Sequence, residues 1–393
     1  MPDRAILSTA LLAPEMASHG GVQSYMWLLH EALQAHAEAG MGAAPALWSL
    51  NDSAAALRAW RPLPGGTAVR GGQRHKVRFS LGLLADRLRP AWRPVDWLVV
   101  GHLGLSPLAH WLQRIGCVRR YSVVLHGIEA WLPLGRADLA ACQAADCIVA
   151  TTPHTAPRFA ACNAVDASRL RVLPLCAQDA APADPQSRLG GGFKLLAVGR
   201  MSASERYKGF DELIAATRLL HDQGVPVALH LVGQGDDQAR LVQLARDAGV
   251  QQSVTFHGAL AGPALQAAYA QCDVFALPSA NEGFGIVFVE AMRHGKPCVG
   301  AAAGGTPAVV RQGVNGLLVE PGRSAPLAQA LQRLWADPAL RGRLGAAGQA
   351  MAADEFSKTR FIQRHLALMA PTQDPPQNLP QTPLPGTSVA SPV

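Results

Sequence analysis

Two carboxylates, Glu282 and Glu290, flank a glycine-bearing stretch in EGFGIVFVE, with seven residues between them. The apolar run Val274 to Leu277 before them stops at Pro278 and Ser279, and the residues after Gly285 have helical spacing from Ile286 to His294, closed by Gly295. The pattern predicts strand, glycine loop, helix. Such a loop presents backbone N–H groups of a helix N-terminus at the C-terminal edge of a strand, where phosphate binds well. Glu282 would lie in the loop and Glu290 about one turn inside the helix. Carboxylates repel phosphate but accept hydrogen bonds from hydroxyls. The arrangement suits a ligand with hydroxyls at both ends and phosphates between, which describes a nucleotide sugar.

Three further stretches put chemistry at predicted strand ends. Ala5 to Leu11 reads as a strand, a loop runs from Pro14 to Gly21, and a helix from Val22 to His36. Gly20 and Gly21 admit close backbone approach to a ligand or serve a tight turn. The strand Ser122 to Leu125 ends in His126-Gly127, a place that faces the crevice of a parallel sheet, although a histidine there can equally be structural. Glu129 meets an acceptor hydroxyl or faces solvent. Leu195 to Arg200 ends a strand in Gly199-Arg200, and after SASERYKG a helix runs from Phe210 to Asp222. Arg200 and Lys208 bracket that loop, as surface charges or as a bidentate fork and a compact charge on one phosphate. Asp236-Asp237 is adjacent rather than alternating, so no Asp-x-Asp metal pair stands at a strand end, and no metal site is expected.

The segment EGFGIVFVEAM, with Gly20-Gly21, His126-Gly127 and VGRMSASERYKG (Val198 to Gly209) in that order, resembles the retaining glycosyltransferases of family 4. The resemblance implies the GT-B fold, an α/β architecture of two Rossmann-like doubly wound domains facing a cleft. It implies a catalytic set of His126 beside the donor sugar, Arg200 and Lys208 on the diphosphate, and Glu282 on sugar hydroxyls. Gly20, Gly21, Gly283, Phe284, Gly285, Ile286, Val287 and Glu290 would bind the donor, with Glu290 on the ribose hydroxyls and Phe256, His257 and Gly258 packing the base. Glu129 would be on the acceptor side. The implied reaction moves a hexose, with retention and without metal, from GDP-mannose or a UDP-hexose to a lipid-linked or membrane-associated glycan of the cell envelope or an exopolysaccharide. The nucleotide sugar is then a co-substrate, and no cofactor is expected. A nucleotide-sugar epimerase or hydrolase on the same fold and a non-catalytic nucleotide- or glycan-binding protein remain alternatives.

The elements that must position these residues fit in 393 residues, of which 49% are hydrophobic and 16% charged, enough for two domains with a core each. The expected division is a first domain over 1–176, a linker over 177–192, a second domain over 193–355, a helix over 356–370 crossing back onto the first domain, and a disordered proline-rich tail over 371–393. Asn315-Gly316 reads as a hairpin turn within Gly313 to Val319. Seven cysteines without a Cys-x-x-Cys pair suggest buried thiols in a reducing cytosol. No run reaches the roughly 18 apolar residues of a membrane span, so the protein is expected in the cytoplasm, free or peripheral on the inner face of the membrane.

The net charge of +7 is compatible with nucleic acid, an anionic membrane or phosphorylated small molecules. Between Arg58 and Arg93 nine cations face a single acid, Asp86, with Trp60, Phe79 and Trp92 interleaved. That composition suits the headgroups of an anionic bilayer, with a solvated basic loop as the alternative. Nucleic acid is not expected, because no binding module accompanies the charge.

Overall fold

The computed structural model describes residues 7–369 apart from 19, 89, 91 and 178–181. The tail expected to be disordered, 371–393, lies outside the described residues. Short, continuous apolar runs alternate with helix-forming segments, a pattern that buries each strand on both faces and favours parallel sheets covered by helices. Two such sheets form. The first contains β1 (Thr9–Ala13), β2 (Ala46–Ser49), β3 (Val69–Gly71), β4 (Val95–Val100), β5 (Val118–Leu125), β6 (Cys147–Ala150) and β7 (Leu170–Val172), in the order β3-β2-β1-β4-β5-β6-β7. The second contains β8 (Phe193–Val198), β9 (Val227–Val232), β10 (Val254–Phe256), β11 (Val274–Leu277), β12 (Cys298–Ala301) and β13 (Gly316–Val319), in the order β10-β9-β8-β11-β12-β13. Every pairing between these strands is parallel.

In each sheet the strand order reverses once, between β1 and β4 in the first and between β8 and β11 in the second. Such a reversal opens a crevice at the C-terminal ends of the strands, because the two flanking connections leave toward opposite faces. The loops that carry Gly21, Lys208 and Glu282 follow β1, β8 and β11, so both crevices are furnished by segments already marked by their chemistry.

Helix Gly21–Glu38 links the halves. Its Tyr25 ring meets Phe361 edge-on, and its Glu31 pairs with Lys358, both on the terminal helix Lys358–Met369. One apolar cluster accordingly continues from Leu11 and Tyr25 through Cys176 into the core around Phe275 and Phe288, while a second fills the other face of the first sheet.

Several expectations are corrected. Of the first strand, expected from Ala5 to Leu11, residues 5 and 6 lie outside the described residues; the described strand is Thr9–Ala13, and Leu7 makes an isolated bridge to Gly42. Asn315-Gly316 is no hairpin turn: β13 runs parallel to β12, and Asn315 is buried, accepting from the Arg311 amide and donating to the Val309 carbonyl. Its side chain satisfies backbone groups of the crossover, a demand that only the folded connection creates. Helix Pro338–Asp354 was not anticipated, since its alanine and glycine content gives no apolar stripe. The basic segment is not a solvated loop but helix Ala54–Trp60, β3 and helix Lys76–Asp86, and Phe79 sits in the core. In the expected linker, Asp184 donates its amide to the Pro263 carbonyl and Leu189 donates its amide to Gln271, so 184–190 is attached to the second half. Six of the seven cysteines are buried thiols and Cys162 is exposed.

Candidate active site

The loops after β8 and β11 are pressed together at a glycine. Gly209 has a φ of 83°, and a Cβ there would lie 2.7 Å from the Pro278 ring, so a side chain would part the two loops. The Ala280 amide donates to the Tyr207 carbonyl at 2.8 Å across the same contact. Lys208 thereby comes to rest with Nζ 3.4 Å from Glu282 Oε2, a pair 74 residues apart in sequence. Burial pulls the Lys208 pKa down, but the Glu282 carboxylate, with Tyr207 and Glu205, outweighs it and leaves the pKa raised. Lys208 is a fixed cation at neutral pH, half-buried at the mouth of the loop.

Glu282 is followed by Gly285 at the N-cap position and by helix Ile286–Arg293. Glu290 lies on the helix with Oε2 accepting from the Tyr269 hydroxyl at 2.7 Å. Burial raises its pKa, against the pull of the Tyr269 hydrogen bond and Arg293. One oxygen of Glu290 is thus anchored, and the carboxylate faces the same cavity as Glu282.

The opposite wall comes from the first sheet. His126 follows β5 and gives its Nε2 proton to the Gly101 carbonyl at 2.7 Å. A carbonyl can only accept, so in the neutral ring Nδ1 keeps its lone pair. Burial lowers the His126 pKa, with the Gly101 bond and Glu129 acting in the other direction and His102 reinforcing the drop. Tyr25 packs its ring edge-on to His126 at 5.4 Å, and the Tyr25 hydroxyl reaches Nε2 of His365 at 3.4 Å.

The walls meet at a second glycine contact. An ideal Cβ on Gly283 would lie 2.1 Å from the His126 carbonyl oxygen, so the cleft closes to this distance only because that residue has no side chain. Beside the contact lies a cavity of about 140 Å³ lined by Gly21, Tyr25, His126, Glu282, Gly283, Phe284, Gly285, Ile286 and Glu290, together with Leu175 and Cys176. Two carboxylates, a neutral imidazole and a helix N-terminus converge on it.

Not every residue singled out from sequence joins this cavity. Gly20 is exposed, outside the lining, and Val287 lies beside it on the helix. Glu129 turns back, Oε1 accepting from the amides of His126 and Gly127, so that oxygen stiffens the histidine loop, and the side chain is not among those lining the cavity. Arg200 does not converge with Lys208: its guanidinium forms a bidentate pair with Glu205 and is largely exposed. Phe256, His257 and Gly258 stand at the end of β10, where His257 Nε2 meets His230 Nδ1 at 3.0 Å and the Gly258 carbonyl accepts from the Gly233 amide. Sequence reasoning missed Tyr25, Glu205 and His365. Tyr25 was within reach, one helical turn after Gly21 and so on the same face. His365 carried no signal at all, being 340 residues from its partner. Among the described residues no group of three or more His, Cys, Asp or Glu side chains is arranged to hold a metal ion.

Two doubly wound parallel sheets whose switch-point loops meet across a cleft define a two-domain α/β protein of the GT-B fold. The chain belongs to the family described as glycosyl transferases group 1, whose profile matches residues 184–351. The D-inositol 3-phosphate glycosyltransferase of Actinosynnema mirum is 32% identical over 300 residues, covering 71% of this chain and 70% of that protein. The GDP-mannose-dependent alpha-(1-6)-phosphatidylinositol monomannoside mannosyltransferase of Mycolicibacterium smegmatis is 31% identical over 271 residues, covering 64% and 69%. Among solved structures, Anabaena HepE in complex with UDP superposes with a TM-score of 0.72 at 21% identity, over 92% of this chain and 99% of that one.

Proposed function

We propose that this glycosyltransferase is a retaining enzyme of family 4 that moves a hexose from a nucleotide-diphosphate sugar, GDP-mannose or a UDP-hexose, to a lipid-linked or membrane-associated glycan in envelope or exopolysaccharide synthesis. The observation that carries this reading is the cavity on which Glu282, Glu290 and His126 converge, with Lys208 fixed against Glu282 at its edge. Relatives named for GDP-mannose and a fold neighbour solved with UDP support a nucleotide sugar and leave the choice of base to experiment.

Glu290, held through one oxygen by Tyr269, offers the other to the ribose hydroxyls. Glu282 accepts from sugar hydroxyls, and Nδ1 of His126 accepts a further one. As the bond from the anomeric carbon to the diphosphate lengthens, negative charge grows on the leaving oxygen. Lys208 and the amides of Ile286 and Val287 meet that charge, and Arg200 joins them by exchanging Glu205 for a phosphate oxygen. Because these groups supply the neutralisation, no metal is required in the proposed reaction, nor any cofactor beyond the donor. The acceptor hydroxyl attacks the face the diphosphate leaves and passes its proton to the departing phosphate oxygen, so that configuration is retained. Six buried thiols support a cytoplasmic setting.

The test is thermal stabilisation by nucleoside diphosphates and their sugars, followed by product analysis. A ligand at a hundred times its Kd stabilises by about 2.7 kcal/mol. One nucleoside diphosphate should stabilise the wild type and fail on Glu290→Ala. Transfer to added glycan should then persist in EDTA and give product with the donor's anomeric configuration. Free or isomerised sugar formed at the same rate without acceptor would make the protein a hydrolase or epimerase, and binding without turnover a binding protein.

A further inference from the structure

Helix Lys76–Asp86 buries Phe79 and Leu83 in the first domain and turns another side outward. On that side Val77, Leu81, Leu84 and Leu88 are 73%, 58%, 38% and 87% exposed. At about 100° per residue the four fall within an arc of about 60°, opposite the buried side. Leu88 belongs to the stripe because the chain continues turning past Asp86, the amides of Arg87 and Leu88 donating to the carbonyls of Leu84 and Ala85. Single exposed aliphatics are ordinary, but an aligned set facing water marks a surface that something covers.

The charges beside the stripe say what covers it. In the same projection Arg78 lies on one flank and Lys76 and Arg87 on the other; all three are exposed, as is Arg74 just before the helix. Arg87 lies over the Trp92 ring at 5.3 Å. Asp86, the single acid between 58 and 93, projects to the buried side and pairs with Arg70. Two copies of this face would oppose cation to cation, whereas an anionic lipid surface offers phosphates on both sides of a stripe that enters between headgroups.

We propose that helix Lys76–Asp86 is an interfacial anchor: its aliphatic stripe enters the headgroup–acyl boundary of a bilayer containing anionic lipid, with Arg74, Lys76 and Arg78 on lipid phosphates, while Arg87 donates to the Ile115 carbonyl. The anchor is independent of the cleft chemistry and rests on other residues. Of the aromatic side chains interleaved with the cations in sequence, Phe79 has no part in it; the inserting groups are aliphatic.

The experiment is cosedimentation of the full chain with phosphatidylcholine vesicles, with and without phosphatidylglycerol. The wild type should pellet only with phosphatidylglycerol and be released by salt. Leu81→Glu with Leu88→Glu should cut partitioning at least about tenfold, and Arg78→Ala about fivefold, the factor that ~1 kcal/mol per cation represents. An unchanged unfolding midpoint in the absence of vesicles would establish that both variants are folded. Wild type remaining in solution with anionic vesicles, variants that bind like wild type, or a concentration-dependent dimer abolished by the leucine variants would each overturn the proposal.

Discussion

The two halves of the molecule build their sides of the cleft differently. In the second half, Lys208, Glu282 and Glu290 sit on the two strand–loop–helix units, after β8 and β11, that flank one switch point, and each is fixed by a neighbour from the same half: Lys208 by Glu282, Glu290 by Tyr269. In the first half, His126 is set by the carbonyl of Gly101 on the next strand end and by Tyr25, which in turn reaches His365 on the terminal helix. One wall is held by contacts within its own half, the other by contacts that reach the terminal helix. The family profile follows the same division, matching 184–351 and none of the first half. A locally built wall keeps its chemistry as long as its loops persist; a wall built from distant contacts is coupled to how the domains are joined.

The largest effect expected from this contrast is on the local wall. Lys208→Ala should lower kcat/KM about a hundred- to a thousandfold, the usual loss when a preorganised partner of a developing anion is removed. The unfolding midpoint of the enzyme without donor should move little by comparison. If activity fell by less than tenfold, the charge would be met elsewhere, and the second half would not be the self-contained unit described.

The distant wall should reveal itself through acid. His365 is buried and its pKa is lowered to about 4 by burial, with the Phe361 carbonyl acting in the opposite direction and the Arg364 charge reinforcing the drop. Its folded value lies below the ordinary 6.5, so the unfolded chain takes up the proton first and stability is lost as pH falls from about 6.5 toward 4. Between pH 7 and pH 4.5 the wild type should lose about 2.5 kcal/mol that His365→Phe does not lose, measurable by urea unfolding of both at each pH. A positioning role through Tyr25 adds a second readout: the acid limb of the kcat/KM profile, set by His126, should shift in His365→Phe although residue 365 does not line the cavity. Identical profiles would sever the terminal helix from the site.

The smallest effect concerns Arg200, largely exposed and paired with Glu205. Glu205→Ala should cost under about 1 kcal/mol of stability, because its pair with Arg200 is exposed and solvent-screened. It should tighten nucleoside diphosphate binding severalfold by releasing the guanidinium, as titration calorimetry would show. Unchanged affinity would mean that Arg200 stays on the rim when the donor binds.

Legibility in the sequence follows the same line. The strand Val274–Leu277 and the helix Phe210–Asp222 are found where the residues predict them, because short apolar runs ended by glycine or proline are local signals. Glu282 and Glu290 were legible as a pair for the same reason. The register of Asn315, the burial of Phe79 and the helix Pro338–Asp354 were not, since each depends on what packs against it.

By itself the sequence determined the fold class and the loops that carry the chemistry, because strand, glycine and helix N-terminus are encoded by neighbours a few residues apart. Only the tertiary structure decided that Lys208 rests on Glu282 while Arg200 turns to Glu205, that Glu129 braces the histidine loop, and that Gly283 lets the two walls touch at His126. The Lys208–Glu282 and Gly283–His126 contacts join residues far apart in the chain and are set by packing of the whole, while Arg200 and Glu129 take near neighbours as partners because the folded loops bring those groups, and no others, into reach.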